Sequence, residues 1–308
     1  MVGTLLAPLA SAASFTVDSS ADNPALNACT AAAADCSLRG AIAAANLTAV
    51  ADTVAFDIPT NDAGCTLATG VCRITLANPG TFPGINQPLL IDGYTQPGAL
   101  PNTIPAPGAN NAVLKIEITS AVVADDWFFP NNTSFTLRGV AMFLPSNRML
   151  SGFATASVSF QGNWFGVTAA GVSPDYTTQS GVLGLSSNFR RITVGGPNPA
   201  DRNVIAGSGR DSSNPPLPGG GSNTVRTESA AGDRAVILFQ GNLFGFAPDG
   251  ITPLPFRDPL VVQCGTEAET ADIRFLDNRF GRAMRTFGGG FGGAVRFNVS
   301  RVMTAPAV

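Results

Sequence analysis

From about residue 53 onward, short apolar runs alternate with Gly, Pro, Asn and Asp. In Val113–Thr119, Leu114, Ile116 and Ile118 fall on one side and Lys115, Glu117 and Thr119 on the other, the period of two that a half-buried strand requires. Comparable runs stand at Leu89–Ile91, Phe135–Phe143, Val158–Phe160, Val182–Leu185, Ile192–Val194, Val236–Phe239, Leu260–Val262, Ile273–Leu276 and Val295–Val299. This pattern predicts many short strands joined by tight turns and a few longer loops. Only Ser37–Asn46 (SLRGAIAAAN) reads as helix, with Ser37 as N-cap and Leu38, Ile42 and Ala45 on one face. A helix this short is not stable alone, so its apolar stripe is expected to cover the end or edge of something larger.

Repetition narrows the β architecture. Val158–Pro174 (VSFQGNWFGVTAAGVSP) returns as Ile237–Pro253 (ILFQGNLFGFAPDGITP), identical at eight of 17 positions with Val exchanged for Ile at two more. A shorter echo is Ile273–Gly281 (IRFLDNRFG). Strand centres at Ile116, Leu137 and Ser159 step by ~20–25 residues, the size of one solenoid coil, whereas propeller blades need ~40–45. In such a coil the strand turns at Gly-Asn and the next apolar residues point back inside. Asn163, Asn242 and Asn278 hold one position of the motif and are expected to bond their own turns and one another, with Phe165, Phe244 and Phe280 as buried aromatics.

Composition excludes several mechanisms. The 308 residues include 18 Lys+Arg, 21 Asp+Glu and no histidine, for a net charge of −3. Without His there is no Ser-His-Asp or Cys-His nucleophile and almost no zinc or haem site. An acidic chain without basic runs is not expected to bind nucleic acid, and Lys115 is the single lysine. Gly 34 and Pro 23 are the composition of a chain that turns often.

Four of the five cysteines form two C-x6-C pairs, read as the local disulfides Cys29–Cys36 and Cys65–Cys72, with Cys264 left over. Zinc is the rival reading, but the spacing is not C-x2-4-C. Residues 2–13 (VGTLLAPLASAA) have the apolar and small-residue character of the end of a signal peptide, with a cleavage site before Ser14. No stretch reaches the ~18 continuous apolar residues of a membrane-spanning helix.

Phe15–Asp22, Cys29, Cys36–Asn46 and Asp52–Pro59 together resemble the N-terminal module of bacterial surface proteins with the consensus Cys-Ser-Leu-Arg-Glu-Ala. Ile91–Gly98 (IDGYTQPG), the Gly-Asn-x-Phe-Gly repeats and Val194–Gly207 resemble the coils that follow that module. The resemblance implies an exported protein with an all-β fold, a right-handed parallel β-helix of pectate-lyase-like architecture with a short N-terminal capping helix. On this reading residues 1–13 are a signal-peptide remnant, 14–60 the N-terminal module and 61–308 the β-helix. One departure is Gly40, where the consensus has Glu; it removes a carboxylate from the expected helix surface and lowers helix propensity by up to ~1 kcal/mol.

The expected function is that of a secreted or cell-surface, non-catalytic, adhesin-like or structural module, with an extracellular glycan or surface protein as partner and no cofactor. The alternative is a polysaccharide lyase or glycoside hydrolase acting on an acidic polysaccharide, the lyase form with Ca²⁺. Its residues would be the adjacent pair Asp125 and Asp126 with Arg138, while Trp127 and Phe128 would stack on sugar. Asp175, Asp201-Arg202 and Arg190-Arg191 are further candidates. Against the enzyme stands the lack of the His-containing motifs of polygalacturonases and lyases. A threonine-array ice-binding surface is disfavoured too, because Thr16, Thr119, Thr136 and Thr193 do not recur in a Thr-x-Thr pattern.

Overall fold

The computed structural model describes residues 11–77, 81–120, 124–143, 146–152, 157–172, 174, 184–187, 190–206, 224–227, 234–254, 260–264, 270–281 and 295–299. The chain opens with β1 (Ser14–Val17), α1 (Leu38–Ala45), β2 (Asp52–Phe56) and a hairpin of β3 (Cys65–Thr66) and β4 (Val71–Leu76). Six passes of three strands follow. They are β5 (Leu89–Asp92), β6 (Ile116–Ser120) and β7 (Ala124–Phe128); β8 (Ser134–Arg138), β9 (Val140–Met142) and β10 (Ser146–Gly152); β11 (Ser157–Gln161), β12 (Trp164–Phe165) and β13 (Gly184–Ser187); β14 (Arg191–Gly195), β15 (Val204–Ile205) and β16 (Thr224–Thr227); β17 (Arg234–Gln240), β18 (Leu243–Phe244) and β19 (Leu260–Cys264); and β20 (Thr270–Leu276), β21 (Arg279–Phe280) and β22 (Val295–Val299).

The first strand of each pass joins one sheet, ordered β1-β2-β5-β8-β11-β14-β17-β20; the second joins another, β21-β18-β15-β12-β9-β6-β4-β3; the third joins β22-β19-β16-β13-β10-β7. Among the described strands all pairings between passes are parallel, and the β3–β4 hairpin is the one antiparallel pair. The fold is therefore all-β with three parallel sheets, and the chain visits them in rotation.

Register stacks like on like. Val54, Ile91, Leu137, Phe160, Val194, Phe239 and Phe275 form one inward column of the first sheet. Ile74, Ile118, Met142, Phe165, Ile205, Phe244 and Phe280 form its counterpart in the second. Strand spacing of ~4.8 Å places rings of neighbouring strands in van der Waals contact. The ring of Phe239 stacks 4.8 Å from that of Phe275, nearly parallel at 3°, and Phe244 stacks 4.7 Å from Phe280.

The helix forms where the sequence predicts it. Ser37 caps α1 by accepting from the Gly40 amide at 3.0 Å, and Leu38, Ala41, Ile42 and Ala45 pack into the core beside Val17, Val54 and Phe56. Position 40 is buried, not on the helix surface: a Cβ there would lie 1.8 Å from the Leu26 carbonyl oxygen, so the chain passes where only glycine fits. Both expected disulfides are present, Cys29–Cys36 and Cys65–Cys72. Such bonds persist in oxidising, extracytoplasmic environments. Among the described residues no helix is long and apolar enough to cross a membrane.

A second apolar cluster lies on the other face of the second sheet. There Trp164, Val204 and Leu243, each preceding an inward residue, are buried with Ala112, Leu114, Ala141, Val167 and Ala206. The segment around 100–114 covers them, tied down by the Asn110 amide donating to the Pro248 carbonyl at 2.7 Å. The second sheet is thus apolar on both faces, as parallel strands covered on both sides tend to be.

Candidate functional site

The residues expected to carry catalysis fall into different sheets. Asp125 and Asp126 lie in β7, with Asp126 opposite Arg148 of β10; their side chains are outside the described residues, as is Asp175. Arg138 ends β8 in the first sheet, where its Nε donates to Asp92 Oδ1 at 3.0 Å and its guanidinium lies 5.6 Å from the centre of the Tyr94 ring. Asp92 Oδ1 also accepts from the Tyr94 amide at 3.0 Å, and the Tyr94 hydroxyl donates to the Gly162 carbonyl at 2.9 Å. This Asp92–Tyr94–Arg138 group holds three passes together at the corner between the first two sheets. Burial pushes the Tyr94 phenol well above its ordinary value, Arg138 opposing and Asp92 and Asp201 reinforcing the rise.

The expectation that Trp127 and Phe128 stack on sugar is corrected. Both are buried, and Phe128 lies between Phe82 at 5.0 Å and Phe135 at 5.2 Å in the core. Their apolar area is spent on the interior, so neither offers a face to a ligand. Arg190 and Arg191 are exposed at the start of β14. Asp201 accepts from the Asn198 backbone amide at 3.1 Å and its side-chain amide at 2.9 Å, closing the turn Pro199–Asp201.

The asparagines of the repeat do what their position suggested, with one member the repeat did not reveal. Asn163, Asn203, Asn242 and Asn278 form a ladder in which the backbone amide of each donates to the side-chain oxygen of the next, at 2.8, 3.3 and 2.9 Å. Each side-chain amide also donates to a strand carbonyl, of Leu137, Phe160, Val194 and Phe239 in turn, at 2.8–2.9 Å. Successive members are 40, 39 and 36 residues apart, so these passes are longer than the expected coil, and the two matching repeats are two passes apart. Asn203 stands between them in Asn-Val-Ile, with the same apolar pair after it as Asn-Trp-Phe and Asn-Leu-Phe, and that is the signal that finds it.

Beside this ladder lies a cleft of about 160 Å³, between the 105–106 segment and the corners at 196–202, 240–241 and 277. Its floor is Arg202, which is 1% exposed. Arg202 Nε donates to the Gly241 carbonyl at 2.8 Å, Nη1 to those of Ile104, Pro105 and Ala109 at 3.0–3.2 Å, and Nη2 to that of Gly108 at 2.8 Å. These carbonyls fasten the loop over the second sheet to the corner. The guanidinium is held below its ordinary value by burial first and by nearby Arg279 second, and among the described residues no carboxylate pairs with it.

The rim adds chemistry that the core does not use. Asp277 is exposed and takes φ 53°, at the corner where Gly162 and Gly241 take 63° and 74°. Asp277 and Gln240 are both lining residues of the cleft, and neither side chain has a hydrogen-bond partner among the described residues. Pro105, Pro197 and Pro199 supply apolar walls. Among the described residues no group of three or more His, Cys, Asp or Glu could hold a metal ion. Compared with protein-family models, curated proteins and solved structures, the chain finds no match.

Proposed function

We propose that the protein is an exported, surface-directed right-handed parallel β-helix that serves as a non-catalytic, adhesin-like binding module. The rotation of the chain through three parallel sheets supports the helical winding, and right-handed crossovers are the rule for parallel connections. Two disulfides and the apolar, small-residue start of the chain support export. The resemblance of residues 15–59 to the Cys-Ser-Leu-Arg-Glu-Ala module supports the surface destination.

The observation that carries the reading is where the charges go. Arg39 pairs with Asp22 and Arg202 with five carbonyls, each fastening a loop or corner, while Arg138 pairs with Asp92 where β8 and β5 end and Arg73 pairs with Glu117 across neighbouring strands of the second sheet. The rigid sheets then serve as a shaft and the loops as the contact surface, toward an extracellular glycan or a surface protein.

The test is to incubate the intact protein with pectin, alginate and related polyanions, with and without calcium, and to probe it on glycan arrays and extracellular-matrix proteins. Binding without product is expected. Product from the native chain that is lost in an Asp125→Ala/Asp126→Ala double variant would establish the lyase or hydrolase instead.

A further inference from the structure

We propose that the cleft over Arg202 binds a single neutral glycosyl ring, recognised by the Asp277 carboxylate and the Gln240 amide. This rests on the glycan-binding reading above and assigns it a place.

Size decides first. At about 160 Å³ the cleft is below the ~300–1,000 Å³ of pockets that enclose drug-sized ligands, so it takes one ring and not a length of polymer. Charge decides next. An anionic sugar would meet the Asp277 carboxylate, and an amino sugar would approach the buried guanidinium of Arg202. A neutral polyol does neither and brings both donors and acceptors.

The lining matches that requirement. Asp277 offers oxygens for hydroxyl donors, and Gln240 offers one acceptor and two N–H donors. Pro105, Pro197 and Pro199 present C–H surface without N–H groups, suited to the apolar face of a sugar ring. Asp277 also stands in a left-handed conformation where the corners at 139, 162 and 241 use glycine, so this corner carries a carboxylate that its backbone does not require.

The test is ligand-observed saturation-transfer NMR on the full chain with a panel of neutral hexoses, the matching uronic acids and the matching hexosamines. Asp277→Gly and Gln240→Ala are the variants, and Asp277→Gly should fold at least as well as the native chain because glycine suits that backbone. A neutral hexose is expected to bind, more tightly than its charged counterparts, and to weaken about tenfold or more in Asp277→Gly. The proposal fails if no neutral hexose binds at tens of millimolar, if a uronic acid or hexosamine binds best, or if both variants bind like the native chain. Array binding that persists in Asp277→Gly overturns the cleft and leaves the binding module standing. Hexose binding that depends on Asp277, in a chain that captures nothing on arrays or surfaces, upholds the cleft and removes the module's adhesive role.

Discussion

Asp22 and Arg39, 17 residues apart, meet in a bidentate pair with Nε to Oδ1 at 2.7 Å and Nη2 to Oδ2 at 2.8 Å. Both side chains are less than a tenth exposed. Asp22 also accepts from the Ala77 amide at 2.8 Å, and Arg39 donates to the Thr81 carbonyl and lies 5.5 Å from the Phe82 ring centre. The pair therefore fastens the segment that carries α1 to Ala77, Thr81 and Phe82. Removing one partner leaves the other charge buried alone, so Arg39→Ala should cost about 3–5 kcal/mol in chemical denaturation. Arg274→Ala, at the exposed pair with Asp272, should leave the denaturation midpoint where it is. Equal effects at the two sites would contradict this account.

The asparagine ladder gives a graded expectation. Asn242 is fully buried and bonds both Asn203 and Asn278, whereas Asn278 is half-buried at the end of the ladder. Asn242→Ala strips partners from the Val194 carbonyl and the Asn203 amides, and each buried group left unsatisfied costs about 1–3 kcal/mol. Urea titrations should rank Asn242→Ala as clearly more damaging than Asn278→Ala; the reverse order would show that the ladder does not bear on stability.

Placing a glutamate at position 40, as in the consensus that this segment resembles, should harm this chain. Gly40→Glu would drive a Cβ into the Leu26 backbone and bury a carboxylate that helix propensity alone would welcome. Loss of soluble yield or a large drop in the thermal midpoint is expected, and a variant as stable as the native chain would mean that the backbone there adapts freely.

Tyr94 should mark the alkaline limit of the fold. Its phenol is raised above the ordinary 10.0 chiefly by burial, so the folded state holds its proton where the unfolded state gives it up. That contribution is fully present below pH 10 and is lost as pH rises beyond it. In an absorbance titration of the chain's two tyrosines, the Tyr94 step should appear only together with alkaline unfolding, and should vanish in Tyr94→Phe. A Tyr94 step near pH 10 with the fold intact would refute the burial argument.

Local features were legible in the sequence because their causes are local. Ser37 as cap, the apolar stripe of α1, the two short disulfide loops and the inward Phe165 and Phe244 all follow from residues close in the chain. What escaped depends on partners far away. Arg138 meets Asp92 across 46 residues, and Arg202 meets the 104–109 carbonyls across more than 90. Trp127 reads as a sugar-stacking residue beside Asp125 and Asp126, and Trp164 as one of the apolar residues that turn inward after Gly-Asn, whereas loops and neighbouring passes decide what covers them. The length of a pass is legible only in part: Leu137 and Phe160 pair across one pass at the expected spacing, whereas Ile116 and Leu137 belong to different sheets and the passes from Asn163 onward are lengthened by what lies between their strands.

Steps of 40, 39 and 36 residues bring the same asparagine contact back into register. A pass can therefore lengthen or shorten at its corners without disturbing the next one, provided it returns to the same column. Descendants of this chain are free to trade corner loops as interchangeable parts, acquiring new surfaces by insertion while the stacked interior remains under separate selection.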